Sequence, residues 1–398
     1  MSEQISSPNR LAEVAGLFLR LGFTAFGGPA AHIAMMRREI VQQRHWISDE
    51  YFLDLLSIVN LIPGPNSTEL AIYLGYRRAG WPGLIVAGVC FIGPAMLIVL
   101  ALAWLYVRFG SLPQVGWLFY GIKPVVIAII AQAVWGLCRT VLKGILPVCL
   151  GVVALIVYLL GVNQLILLVC GGLLFALLRW WERRRQLRGV VSSVLPFSFA
   201  NIYELWQKAL PTIPLAGVAS AAIPVSLLTL FLTFLKIGSV LYGSGYVLLS
   251  FLRTDFVQHL GWLTDRQLLD AVSIGQFTPG PVFTTATFIG YLVAGWPGAL
   301  LATLAIFLPS FLLVALIHPV AVRLRKSPWT ASILDGVNIV ALALMTGVLF
   351  QLAQSTQIDI PTWLIALVSL VILLRFKINS VWLILAGALV GVIRFWIW

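Results

Sequence analysis

A ten-residue stretch, Asn60-Leu61-Ile62-Pro63-Gly64-Pro65-Asn66-Ser67-Thr68-Glu69, lies in apolar surroundings and returns as Gln276-Phe277-Thr278-Pro279-Gly280-Pro281-Val282-Phe283-Thr284-Thr285. Pro-Gly-Pro cannot continue a helix: both prolines lack a donor and clash with the preceding turn, and the glycine takes backbone angles other residues avoid. Each copy therefore predicts a break between two short helices. The flanking pieces 50–62 and 66–79 would each reach only ~20 Å at about 1.5 Å per residue, short of the ~30 Å hydrocarbon core. A re-entrant helical hairpin is the natural reading. Non-helical backbone at membrane depth is tolerated only against protein or a watery cavity, so two such hairpins predict one shared transport site.

Composition sets the outer solvent. Residues are 60% hydrophobic and 10% charged, against about 45–50% and about 25% in soluble domains. The fold class expected is an all-α polytopic membrane protein. The formal charge of +12 raises nucleic acid as a partner, but the basic residues stand in short clusters between apolar runs, as in cytoplasmic loops facing anionic lipid. No nucleic acid is expected. Cys90, Cys138, Cys149 and Cys170 lack a Cys-x-x-Cys spacing, and His32, His45, His259 and His318 are too scattered for a metal site. Met1 to Arg10 is polar and precedes no cleavable leader, so the first helix would target the chain. Nucleotide-binding loops, nucleophile elbows and His-Glu-x-x-His helices are missing, which argues against an enzyme and against a cofactor.

The chain is duplicated in tandem. Arg20-Leu-Gly22 returns as Lys236-Ile-Gly238, and Trp46, Asp49 and Asp54 return as Trp262, Asp265 and Asp270, all at the offset 279 − 63 = 216. After the hairpin the offset falls to 296 − 81 = 215, as Ala79-Gly-Trp-Pro-Gly83 returns as Ala294-Gly-Trp-Pro-Gly298. Residues 1–188 and 224–398 then form two repeats, joined by a linker at 189–223 with an amphipathic piece around Tyr203. Each repeat reads as five spans plus a hairpin: 11–30, 84–107, 115–137, 145–160 and 164–180 in the first, 225–249, 299–321, 333–352, 363–374 and 380–398 in the second. Loop charges alternate between repeats: Arg77-Arg78 faces Leu292-Val293, and Gly161-Val-Asn163 faces Arg375-Phe-Lys377. By the positive-inside rule the two repeats have inverted topology, which an odd number of spans requires. The basic run from Arg179 to Arg188 places mid-chain in the cytoplasm and both termini outside.

Several residues stand where chemistry is expected. Helix N-termini, each with about half a positive charge, would meet at the breaks and hold an anion. Asn66, Ser67 and Thr68 add donors there and Glu69 a proton acceptor; Thr284 and Thr285 follow the second break. Helix capping is the alternative use of Asn66 and Ser67. Arg20 and Lys236 sit deep in apolar spans, just before the glycine-rich weaknesses holding Gly27 and Gly28, and Gly243 and Ser244. Such cations line a pathway or snorkel to the interface. His32 is either a proton-sensitive gate or a membrane-surface histidine. Lys123, matched by Asn338, is a further candidate for the cavity wall. The carboxylates Glu39 and Asp255, and Asp54 and Asp270, also correspond, and read as ion-pair or capping groups.

Phe26-Gly-Gly-Pro29 with His32, Trp46, Asn60 to Asn66 around Pro-Gly-Pro, Gly80-Trp-Pro-Gly83 and their returns in the second half resemble the long-chain, two-domain members of the chromate ion transporter family. The resemblance covers essentially the whole chain. It implies secondary-active export of chromate, a divalent tetrahedral analogue of sulfate, across the bacterial inner membrane, driven by membrane potential or a proton gradient (an antiporter in the latter case) and giving chromate resistance. Tyr242-Gly-Ser-Gly-Tyr246 replaces Phe26-Gly-Gly-Pro-Ala30 in the second half, so the two lobes are not expected to be chemically equivalent. Expected partners are the oxyanion and the lipid bilayer, with a homodimer compatible with both. An importer of sulfate or another oxyanion is the alternative, followed by a protein handling lipid phosphates beside Arg37, Arg38 and Arg44.

Overall fold

The computed structural model describes residues 8–110, 112–187, 224–242, 245–317, 328–356, 359–376 and 378–397. The expected linker at 189–223, and with it Gly243 and Ser244, lies outside them. Among the described residues the regular structure is helical, without strands, and we number the α-helices in chain order. The first half holds α1 (Pro8–Thr24), α2 (Gly28–Arg37), α3 (Asp49–Val59), α4 (Asn66–Phe109), α5 (Pro113–Val141), α6 (Ile145–Leu159) and α7 (Gln164–Leu187). The second holds α8 (Leu227–Val240), α9 (Leu248–Leu252), α10 (Asp265–Phe277), α11 (Thr285–Ile317), α12 (Pro328–Thr356), α13 (Ile360–Phe376) and α14 (Ser380–Ile397). Five of them are long and apolar enough to cross a membrane, and four shorter apolar helices accompany these. Large apolar side chains such as Leu97, Ile145, Leu160, Leu316 and Trp382 stand exposed, as they do where the outer solvent is lipid. The chain is an all-α, multi-pass membrane protein.

Two of the expected spans are shorter than the apolar run that announces them. The run 11–30 breaks after Thr24, because Gly27 and Gly28 take φ of +102° and +76°, and the chain restarts as α2 with Pro29 in its first turn. The run 225–249 likewise ends its helix at Val240 and resumes in a 3₁₀ turn, Gly245–Val247. Beyond α2 and α9 the helix widens into π turns at Arg38–Gln43 and Arg253–His259. These turns sit at matching repeat positions.

α4 folds back on itself. Ala79 (φ −139°, ψ 22°) and Gly80 (φ 64°, ψ −152°) leave the helical region, and Ala294 and Gly295 do the same in α11. The piece 66–78 returns from the Pro-Gly-Pro break and packs against the long piece 81–109, with Gly75 and Gly83 so close that a Cβ on either would meet the other's carbonyl oxygen. Gly290 and Gly298 repeat that contact. Small residues are what let two helix backbones approach this closely.

The halves interlock. α1 packs on α4 and α8 on α11, within each half, but α5 packs on α13 and α14 while α12 packs on α6 and α7. Glycines set both crossings: Gly121 faces Gly387 and Gly391, a G-x-x-x-G pair, and Gly336 faces Gly171 and Gly172. The correspondence is 336 − 121 = 215 and 387 − 172 = 215. The breaks cross over too. The amide of Gly64 donates to Leu241 O at 2.7 Å, and the amide of Gly280 donates to Ala25 O at 2.8 Å. Each break is thereby hydrogen-bonded to the end of the other half's first helix, with 241 − 25 = 216 and 280 − 64 = 216.

Candidate transport site

The two breaks line one cavity of about 620 Å³. Asn60, Pro65, Asn66 and Ser67 come from the first break, Pro281, Val282 and Phe283 from the second, Pro29 and Ala30 from α2, Thr140 from α5 and Asn338 from α12. Among the described residues of this wall none is charged. Its polar groups are neutral donors and acceptors crowded on the first break, opposite an apolar second break. Pro65 caps α4 without offering a side-chain acceptor; its carbonyl oxygen accepts from the Thr68 and Glu69 amides, so the Asn66 and Ser67 N–H groups are the ones left without a hydrogen-bond partner among the described residues. Asn66 gives an Nδ2 hydrogen to Asn60 Oδ1 at 2.7 Å, which orients the amide and leaves its second hydrogen available.

Ser67 is held from behind. His32, 1% exposed, has Nε2 at 3.0 Å from Ala25 O and Nδ1 at 3.3 Å from Ser67 Oγ. A carbonyl only accepts, so Nε2 carries the hydrogen, and in the neutral ring Nδ1 accepts from the serine hydroxyl. Ala25 O also receives the Gly280 amide. One imidazole thus joins the end of α1, the first break and the second break, with Phe91 edge-on at 5.7 Å between ring centroids. His32 is a buried bridge and not a membrane-surface histidine. Its repeat partner is Leu248, at 248 − 32 = 216, so His32→Leu is expected to fold and insert normally. Oxyanion flux in vesicles should nevertheless fall roughly tenfold, the equivalent of one buried hydrogen bond that no longer orients Ser67. Wild-type flux in that variant would detach His32 from the site.

The other expected residues take different places. Thr68 and Glu69 are fully buried behind the wall. Glu69 Oε1 accepts from Ser310 Oγ of α11 at 3.3 Å, while Oε2 and the Thr68 hydroxyl have no hydrogen-bond partner among the described residues. Thr284 and Thr285 return their hydroxyls to Pro281 O and Val282 O, both at 2.8 Å. Gly27 and Gly28 shape the bend before α2. Lys123 is absent from the cavity wall: its ammonium lies 3.0 Å from Asp270 Oδ1 of α10, whose Oδ2 accepts from Tyr106 at 2.8 Å.

Arg20 and Lys236 are also absent from that wall. Arg20 is ion-paired with Glu39, and Lys236 with Asp255 at 2.6 Å. The pairs correspond at 255 − 39 = 216. Each joins the first helix of its half to the π turn that follows α2 or α9. A second matched set closes the same region: Arg37 grips Asp49 through two bonds of 2.6 Å, and Arg253 Nε lies 2.7 Å from Asp265. The Arg37 guanidinium holds the Asp49 carboxyl below its ordinary range. Thr140 in the wall and Ser310 on Glu69 are groups that periodicity does not mark, being single polar residues in long apolar runs. Ser310 had one signal, since Leu308-Pro-Ser310 stands where the first half has Gly93-Pro-Ala95.

The family described as Chromate transporter matches the chain twice, over residues 12–177 and 228–392. The chromate transport protein of Cupriavidus metallidurans is 36% identical over 97% of this chain and 93% of its own length. A probable chromate transport protein of Synechococcus elongatus is 33% identical, over 97% and 96% respectively, and the chromate transport protein of Pseudomonas aeruginosa 32%, over 98% and 94%. No solved structure matches.

Proposed function

The chain belongs to the chromate transporter family, a family of membrane transporters and not of enzymes, and from that premise we propose that it carries chromate out of the cell through the Pro-Gly-Pro cavity, conferring chromate resistance. The observation that carries the reading is the convergence of both breaks on one cavity whose polar side is the N-terminus of α4 with Asn66 and Ser67. The Asn66 and Ser67 amides and the second Asn66 Nδ2 hydrogen on that side are N–H donors of the kind that suits a tetrahedral oxyanion. We read residues 1–188 and 224–398 as inverted repeats with re-entrant hairpins, a reading supported by the crosswise bonds Gly64 to Leu241 and Gly280 to Ala25.

Direction and driving force follow from charge. A dianion leaving an interior-negative cell is pushed outward by about 4.6 kcal/mol per 100 mV, two charges at about 2.3 each, so the membrane potential suffices. The test is uptake of chromate, with sulfate as competitor, into everted membrane vesicles. Wild type is expected to concentrate chromate under an imposed potential, and Asn66→Ala to lose roughly tenfold or more of the rate by removing one oriented donor. Chromate accumulating only in right-side-out vesicles would make the protein an importer.

Glu69 bears on coupling. A carboxyl with no exposure and no cation partner among the described residues needs a proton or a counter-charge to remain buried. It adjoins Gly64 of the first break, so in this reading it exchanges a proton as the break rearranges around the substrate. Glu69→Gln mimics the protonated shape. Its chromate flux is expected to lose its dependence on pH while keeping its dependence on potential. The same pH profile in variant and wild type would leave Glu69 a structural acid.

A further inference from the structure

The central cavity meets a dianion with neutral groups only, so something outside it must draw a strongly hydrated oxyanion from water and deliver it. A second cavity of about 370 Å³ adjoins it, and Thr140, Val141 and Asn338 line both. The remaining polar wall of the second cavity is Lys143 from the α5–α6 turn, Arg179 from α7 and Asp335 from α12. Among the described residues neither Lys143 nor Arg179 forms an ion pair. Arg179 stands over the Phe175 ring at 5.2 Å, which fixes its guanidinium without consuming its charge. Asp335 lies within electrostatic reach of Arg179.

We propose that Lys143 and Arg179 form a second oxyanion-binding site, a cationic vestibule that takes the tetrahedral dianion from water and passes it by Thr140 and Asn338 to the Pro-Gly-Pro cavity. This rests on the transport reading above and adds a station to it. Two cations against one carboxylate attract a dianion, and Asp335 weakens the hold enough for the ion to move on, as conduction through successive sites requires. Paired cations in a cleft also raise the local concentration of the anion and its rate of capture.

The opposite repeat shows that free cations here are not demanded by the fold. Arg394 is the counterpart of Arg179, at 394 − 179 = 215, and Tyr120 that of Asp335, at 335 − 120 = 215. Arg394 is hydrogen-bonded to Tyr120 and lies 3.3 Å from Asp359 Oδ2. The same arginine position is therefore neutralised internally in one repeat and left open onto a cavity in the other.

Two measurements test the vestibule on the full-length protein. Calorimetric titration of the purified protein with sulfate, a redox-inert tetrahedral dianion, reads binding without transport; initial chromate uptake in everted vesicles reads KM and Vmax. Lys143→Gln and Arg179→Gln are each expected to weaken sulfate binding and raise KM roughly fivefold, the loss of one charge-assisted contact, with Vmax nearly kept. Their flux should also lose much of its sensitivity to ionic strength. Lys143→Arg should restore both, and Asp335→Asn should tighten sulfate binding. Arg139→Gln, which removes an equal charge from exposed α5 outside the cavity, should change neither. Lys143 is exposed, so its variant reports even if Arg179→Gln folds poorly. Unchanged sulfate affinity and KM in Lys143→Gln overturn the vestibule. Wild-type vesicles that move no chromate overturn the transport reading instead, and the sulfate titration still decides the vestibule.

Discussion

Asp270→Asn is expected to destabilise the protein by about 3–5 kcal/mol, because it strands the Lys123 ammonium inside the bundle without its counter-charge. The two side chains are 10% and 3% exposed, and their charged atoms lie 3.0 Å apart. Tyr106 donates to the far carboxylate oxygen, and the Phe119 ring stands 5.9 Å from the ammonium. No other carboxylate pairs with Lys123 among the described residues. Lys123→Met alone should cost a similar amount, by leaving the carboxylate unpaired. The double variant Lys123→Met with Asp270→Leu should recover most of the loss, since burying an ion pair gains little over packing apolar groups of similar volume. Thermal unfolding of the purified proteins measures all three, and additive losses in the double variant would show that the two groups do not act as a pair.

The pair also locates where the second break gets its support. Lys123 belongs to α5, which crosses into the second half, and Asp270 to α10, which leads into Pro279. Chromate flux in the stabilised double variant separates support from chemistry. Flux near wild type is the expected result, since neither group lines the cavity.

Much of the frame was legible because it depends on backbone chemistry. Pro63-Gly-Pro65 and Pro279-Gly-Pro281 break a helix in any context, and the offsets of 216 and 215 declare the duplication without reference to contacts. The close approach of α5 to α14 is also written, in Gly387 and Gly391. Charge pairing was less legible. Glu39 and Asp255 read only as ion-pair or capping groups, and their partners in the fold are Arg20 and Lys236. The π turns at Arg38–Gln43 and Arg253–His259 carry one extra residue per turn and swing the carboxylates towards the first helix of their half, a shift that a 3.6-residue period conceals. Arg20 and Lys236 thus sit in a matched structural clamp. The polar wall was partly legible: Asn66 and Ser67 follow the break directly and Asn338 stands out as the polar counterpart of Lys123, whereas Thr140 reaches the cavity only because α5 and α12 trade partners between the halves.

Gly64→Ala is expected to abolish transport and to deplete the protein from the membrane, whereas Gly80→Ala should lower stability modestly and keep transport. Both glycines have positive φ, +138° and +64°, outside the helical regions open to other residues, and a side chain at either costs about 1–3 kcal/mol in backbone strain. Backbone strain alone therefore does not separate them. Crowding does: nothing lies within 4 Å of a Cβ placed on Gly80, but on Gly64 it would be driven into Glu69 Oε1 and would stand 2.6 Å from Ser310 Oγ. Neither neighbour can retreat, since both are fully buried and hydrogen-bonded to each other. Nor can Gly64 move away without giving up its 2.7 Å bond to Leu241 O, which ties the first break to the end of α8. Gly280→Ala should fail for the matching reason, with Ala95 Cβ at 2.7 Å and the Gly280 amide committed to Ala25 O. Membrane levels and chromate uptake of the three variants, measured side by side, decide the matter. If Gly64→Ala transports as well as Gly80→Ala, the first break has room for a side chain beside Glu69 and Ser310, and close packing at Gly64 is not what holds that break to α8.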